Sequence, residues 1–411
     1  MREPGGHAAA AWFVSYGLLG LTQSGLVPVL MPLVSRGAGA AGLTYAAFTL
    51  LGLAAPVLGS WADRTGRHRD LLIWGSAGAG LLLLLFEPAN GAFRIMLAAC
   101  AGLGVVAATV AGNVLAIQGF PDAAWDGRVA LLQRFVSAGQ VIGLVGAGLL
   151  ARSHPGRGFL CAGLALLAAS ALAVVSAPAR VPRDPRDKPL PKPMVGGDAG
   201  ITGPHHRGHH IPLQELGAYL RVINRPLRRF LIVWLIAYPA MNGLATLFPV
   251  AMIRQFGMQP ILPSGAYAIG VAASLMLYTP VGAATHRLGG ERMLMLGLGA
   301  RLVLLAALGL LSLARADWAG WLVLVGFALI QFVWPLLSVS ANSLSIRLAP
   351  NARGESIGLF NATTSLASSV GSAIAGAIFG LLGFAGLAAV TFVTVSIALL
   401  LAAAWLPKGQ R

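Results

Sequence analysis

From Ala8 to Val34 no residue carries a charge, and the chain returns to apolar runs of similar length eleven more times before Leu406. About twenty apolar residues in a helix are enough to cross the hydrocarbon core of a bilayer. No single soluble core hides this much apolar surface, since 57% of the residues are hydrophobic and the mean hydropathy is +0.77. The chain is therefore read as an all-α integral membrane protein with twelve transmembrane helices. Their expected spans are 8–34, 40–58, 71–87, 93–117, 129–150, 158–177, 227–253, 265–285, 293–313, 318–344, 356–382 and 386–406. The 53 glycines fit that reading, because small residues let membrane helices approach closely.

The net charge of +16 comes from 29 basic and 13 acidic residues. The basic residues are scattered through short loops instead of covering one soluble face, which argues against nucleic acid as a partner. With the N-terminus placed inside, 22 of the 29 basic residues fall on that side. Both termini are accordingly expected in the cytoplasm, in a multi-pass protein of the cell (inner) membrane. Cys100 and Cys161 lie in apolar runs with no metal or redox spacing. The stretch 8–34 is too long for a signal-peptide core and is read as a retained first helix.

Pro178 to Pro226 is polar and rich in Pro, Arg, Lys and His. It divides the chain into an N-terminal bundle (1–177), a cytoplasmic linker (178–226) and a C-terminal bundle (227–411). Late in the linker, Leu213, Leu216, Leu220 and Ile223 share one face of an expected interfacial helix. His205, His206, His209 and His210 lack neighbouring acids and read as a solvated tract; a metal-sensing loop is the alternative.

The two halves repeat each other. Gly59, Arg64, Gly66 and Arg69 recur as Gly282, Arg287, Gly289 and Arg292 at an offset of 223. Asn113, Leu115, Ile117 and Pro121 recur as Asn342, Leu344, Ile346 and Pro350 at 229, and Arg128, Phe135 and Gly146 as Arg353, Phe360 and Gly371 at 225. Three sites in one order at nearly one offset argue for two pseudo-symmetric six-helix bundles from a duplicated unit.

Between the second and third spans, Gly59, Asp63, Arg64, Gly66, Arg67 and Arg69 form a charge cluster that resembles the signature loop of the major facilitator superfamily. The resemblance implies two six-helix bundles around a central cavity that opens alternately to each side. It implies a conformational gate at this cluster, with Gly59 allowing close helix packing and Asp63 facing the positive N-terminal end of the eleventh helix. Arg64 and Arg67 would pair with Asp122 or Asp126, and Arg353 and Glu355 would be further gate partners. The twin loop carries His286 where Asp63 stands, which weakens a second gate.

Among drug-exporting members an Arg in the fourth span and a Gly-Pro pair in the fifth are usual; here Ala98 replaces the first and the fifth span has no proline. The stretch 349–376 still resembles the drug- and sugar-exporting groups. By resemblance, the cavity is lined by the first, fourth, seventh and tenth spans, which offer Tyr16, Gln23, Asn113, Tyr238, Asn242, Gln331, Trp334 and Asn342. Thr22, Thr109, Thr246 and Ser338 accompany them. Pro28 and Pro32 predict a bend in the first helix near Gln23. No Asp or Glu lies near the middle of a span, so a proton coupling would fall to Asp63. Arg134 and Arg301 lie inside spans and are expected to snorkel to the surface; an inward Arg301 would instead call for an anionic substrate or a lipid headgroup.

The expected function is alternating-access export of a small neutral or amphipathic organic solute by a protein working as a monomer. Uptake of a polar or anionic metabolite, or a non-transporting sensor, are the alternatives. No nucleophile triad, metal site or phosphate loop is present, so neither an enzyme nor a cofactor is expected.

Overall fold

The computed structural model describes residues 6–35, 38–117, 122–178, 224–314, 318–348 and 353–406. The linker, with its expected interfacial helix and histidine tract, lies outside the described residues apart from its two ends. Among the described residues all regular structure is helical, and each of the twelve expected spans coincides with a helix or a helix pair.

In the first half, α1 covers residues 6–34 and contains a π-helical turn, Leu21–Leu26. Pro28 has no N–H to donate and would clash with the carbonyl one turn back; the widened turn before it absorbs both defects. α2 covers 38–65 with a 3₁₀ turn, Leu51–Ala54, in its middle. α3 (His68–Leu84), α4 (Gly91–Ile117), α5 (Asp122–Ser153) and α6 (Pro155–Ser176) follow.

In the second half, α7 (Arg225–Phe256) starts on an N-cap in which the Asn224 side chain accepts a 2.9 Å hydrogen bond from the Leu227 N–H. α8 covers 261–288 as two segments, Ile261–Ser274 and Tyr278–Leu288, bent by 51°. α9 is Gly290–Leu313, and α10 covers 319–347 with a break at Val333, just before Pro335. The helix Arg353–Trp405 is interrupted at Gly383, whose φ of +66° is non-helical, giving α11 (353–382) and α12 (384–405).

Among the described residues eight helices are long and apolar enough to cross a membrane on their own, and α8 makes nine when its bent segments are taken together. Dividing the last long helix at Gly383 and adding the two shorter elements α2 and α3 accounts for twelve. The two-segment form is itself duplicated. The α2 start at Ala38, its restart at Ala55 and its end at Gly66 recur in α8 at Ile261, Tyr278 and Gly289, the same offset of 223 seen in the sequence.

Two hydrophobic cores result. One draws almost wholly on residues 12–177 and includes Leu19, Phe86 and Phe159; the other, apart from Ala41, draws on 227–406 and includes Phe230, Phe248 and Phe384. Within each half a pair of helices meets at glycine. A Cβ on Gly139 of α5 would lie 1.8 Å from the Gly17 carbonyl of α1, and one on Gly371 of α11 would lie 2.0 Å from the Pro239 carbonyl of α7. The halves meet crosswise, α2 on α11 and α5 on α8. Ser369 donates a 2.9 Å hydrogen bond to the Ala46 carbonyl, and a Cβ on Gly148 would lie 2.9 to 3.0 Å from Ile261 and Ser264.

Candidate functional site: a cavity between the halves

Three of the helix irregularities converge. Gln23 lies in the π-helical turn of α1, Tyr278 is the first residue after the break in α8, and Trp334 the first after the break in α10. All three line a central cavity of about 330 Å³ between the halves. An interrupted helix leaves carbonyls unpaired and backbone offset, so breaks gather where a membrane protein needs polar groups and space.

From the first half, the wall takes Gln23, Ser24 and Pro28 of α1, Tyr45 of α2, and Val136, Ser137 and Gln140 of α5. From the second half it takes Tyr238, Met241, Asn242, Ala245 and Thr246 of α7, with Tyr267, Val271, Ser274 and Tyr278 of α8. Arg301 of α9 and Gln331 and Trp334 of α10 complete it. Four of the six tyrosines of the chain are here. Aromatic packing continues behind the wall: Tyr238 packs on Trp334 at 6.1 Å between ring centroids, and the buried Trp234 stacks on Tyr238 at 5.1 Å.

Six residues expected at the cavity from sequence stand in its wall: Gln23, Tyr238, Asn242, Thr246, Gln331 and Trp334. The Gln23 side-chain oxygen accepts a 3.2 Å hydrogen bond from Thr109 of α4. The Asn242 amide donates to the Ser372 hydroxyl at 3.1 Å and the Ser368 carbonyl at 3.3 Å, so it ties α7 to α11 as well as facing the cavity. Tyr16 is placed elsewhere. It is 2% exposed, its hydroxyl donates to the carbonyls of Ala108 (3.0 Å) and Thr109, and its ring fills the space a side chain at Gly112 would need. Thr22 likewise donates to the Ala162 carbonyl of α6 at 3.3 Å. Asn342 is exposed, and its amide donates to the Ser338 carbonyl of its own helix at 2.8 Å. The Asn113 side chain lies outside the described residues.

Arg301 does not snorkel. Its side chain runs inward from α9, is 5% exposed, and sets its guanidinium carbon 5.2 Å above the Trp334 ring. Nη2 donates to the Ile330 carbonyl at 3.2 Å, in the last turn before the α10 break, where helix carbonyls are unpaired and the helix end is negative. Nε has no hydrogen-bond partner among the described residues. Among the described residues the wall contains no carboxylate. The sequence marked this residue as a lone cation in an apolar run but not its direction; Tyr45, Tyr267, Tyr278 and Gln140 carried no signal at all.

At the charge cluster, Gly66 adopts φ +67° and closes α2 with its N–H on the Ala62 carbonyl at 2.7 Å, while the Arg67 N–H reaches the same carbonyl at 3.3 Å. Arg67 Nε lies 4.0 Å from Asp70 Oδ2, an exposed pair worth little. Arg69 donates to the Val174 carbonyl near the end of α6. These described contacts all stay within the first half. The side chains of Asp63, Arg64, Asp122, Asp126, His286, Arg353 and Glu355 lie outside the described residues; Gly59 sits on α2.

The family model of the Major Facilitator Superfamily matches residues 12–372. No curated protein matches the sequence. Among solved structures, the nucleoside transporter NupG aligns with a TM-score of 0.69 over 97% of each chain at 11% identity. The human organic anion transporter MFSD10 (TETRAN) aligns at 0.68, covering 98% of this chain and 100% of that one at 16% identity. A POT family transporter in complex with a thioalcohol-conjugated peptide aligns at 0.72, covering 96% and 95% at 12% identity. At these identities the likeness is one of fold. With twelve membrane helices, a duplicated half and the family match across most of its length, the chain belongs to the Major Facilitator Superfamily and is built as a transporter, not an enzyme.

Proposed function

We propose that the protein is a secondary transporter that exports a small amphipathic organic solute through the central cavity by alternating access. The observation that carries this is the cavity itself, walled by both halves with polar amide and hydroxyl groups beside aromatic faces. Units 1–177 and 227–411, joined by the polar linker, rock about it. Two of the similar solved structures are named for nucleosides and organic anions and a third is in complex with a conjugated peptide, which supports an organic solute and leaves its identity to the wall chemistry. Export rests on the likeness of residues 349–376 to exporting members. Uptake of an anionic metabolite is the second reading, favoured by Arg301 in the wall.

The Asp63 cluster serves as the gate on the face that holds both termini, and the excess of basic residues puts that face in the cytoplasm. Asp63 is also the residue to which a proton coupling falls. The protein works as a monomer in the cell membrane. Cysteines introduced at Asn90 and Asp317, with Cys100 and Cys161 replaced, should react with an impermeant reagent from outside intact cells, and those at Thr65 and Asp198 should not; outside labelling of Thr65 would reverse the orientation. Ligands found by thermal shift on purified protein should show counterflow in proteoliposomes. Ligands that bind but never cross would sink the transporter reading.

A further inference from the structure

Buried cations in membrane proteins are held by a partner, because a guanidinium in a low-dielectric surrounding is costly when uncompensated. Arg301 has half of what it needs. The Ile330 carbonyl and the face of Trp334 take part of its charge, yet among the described residues the buried Nε is without a hydrogen-bond partner and no carboxylate stands in the wall. A structural arginine, fixed in place for packing alone, would be expected to spend its donors on protein. This one lines a cavity of about 330 Å³ with one hydrogen bond, from Nη2, among the described residues.

We propose that Arg301 is the anion-binding residue of this cavity, and that the transported solute is an aromatic organic carboxylate. The proposal rests on the transporter reading for the word "transported" but not for the binding site. The two terminal nitrogens of a guanidinium carry parallel N–H donors, of which Nη2 spends one on the Ile330 carbonyl, and a carboxylate is the planar acceptor that fits that end with two hydrogen bonds. The rest of the solute meets Tyr238, Tyr267 and Trp334, whose faces suit a ring more than a sugar or a peptide backbone. Gln331, one turn before Trp334, supplies a further polar contact. A neutral amide of the same shape gains the aromatic contacts and loses the ionic ones. An ammonium analogue faces a like charge in a wall without an acid.

The test uses matched probes on the full-length protein in nanodiscs. Benzoate, 1-naphthoate and indole-3-acetate are compared with their amides and with 1-naphthylmethylammonium by isothermal titration. At least one carboxylate should bind tenfold or more tightly than its amide, and the ammonium should bind weakest. In Arg301→Gln the acid-to-amide ratio should fall to near one with amide affinity kept, and Arg301→Lys should retain part of the preference. Equal affinity of acid and amide in the unmodified protein, or no binding of any carboxylate, overturns the proposal and needs no variant to fold. Persistence of the acid preference in Arg301→Gln overturns the assignment to this residue. Counterflow of the same probes separates the two readings: amides that cross as well as acids leave a transporter without an anion site, and acids that bind but do not cross leave an anion site without transport.

Discussion

α2 and α8 break at corresponding points and restart at corresponding residues, Ala55 and Tyr278, but only the second restart places an aromatic ring in the cavity. The same contrast runs through the two halves. The position matching Arg301 at the offset of 223 is Gly78, and the position matching Asp63 is His286. The second half brings to the wall its cation, its tryptophan and three of its four tyrosines; the first half brings Gln23, Ser137, Gln140 and one tyrosine. What the halves share sets helix geometry: the break in α2 and α8, cap glycines and glycine contacts. What they do not share is chemistry, with the solute side in the second half and the acidic loop in the first.

The most severe way to test the shared part is to fill the glycine contacts. Gly139→Val and Gly371→Val each drive a side chain into a backbone carbonyl, at 1.8 Å and 2.0 Å from the first added carbon. Each should cost about 3 kcal/mol, the upper end of ordinary overpacking, because neither carbonyl can rotate away. Thermal melting of the purified variants should show comparable losses. Tolerance of one and not the other would mean that the α1–α5 and α7–α11 contacts are not equivalent.

The division of chemistry predicts unequal losses at the wall. Trp334→Ala removes the ring under the guanidinium and an aromatic contact, together worth about 1.4 kcal/mol, so ligand affinity should fall about tenfold. Gln23→Ala removes one hydrogen-bonding group, worth about 0.5 kcal/mol, and should cost two- to threefold. Equal losses would end the claim that the second half carries recognition. For the gate the order reverses. A carboxylate at a helix N-terminus is worth about 1 kcal/mol, so Asp63→Asn should shift the ratio of open to closed states about fivefold, read as cytoplasmic accessibility of a cysteine at Ser60. His286→Asn should shift it little, and an equal shift would make the two loops functional twins.

The fold was largely legible because its determinants are local. Apolar runs mark spans, Pro28 and Pro335 sit beside two of the breaks, and Gly66 and Gly289 mark helix ends through their positive φ. The site was legible only where a helix had already been assigned inward. Arg301 lies in a run of Leu, Ala, Gly and Met that is apolar on every face, so no periodicity says which face is inside. Its direction is decided by packing against the end of the first segment of α10, a long-range contact that depends on the break at Val333. Tyr45 and Tyr267 lie in helices of the same uniform kind.

The smallest expected effect concerns the pair Asn113 and Asn342, whose alignment across the repeat made both look like ligand residues. In the structure the Asn342 amide donates at 2.8 Å to the carbonyl four residues back, and the residue is exposed outside the cavity wall. A side chain bonded to its own helix competes with nothing a solute offers, and its removal returns one carbonyl to its normal helical bond. Asn342→Ala should therefore change the affinity of any cavity ligand by less than about twofold, within the ±0.5 kcal/mol typical of surface substitutions. A tenfold loss would mean that Asn342 turns toward the solute in another state of the cycle. The second half would then contribute to two sites, and the contrast between the halves would be sharper than the wall alone makes it.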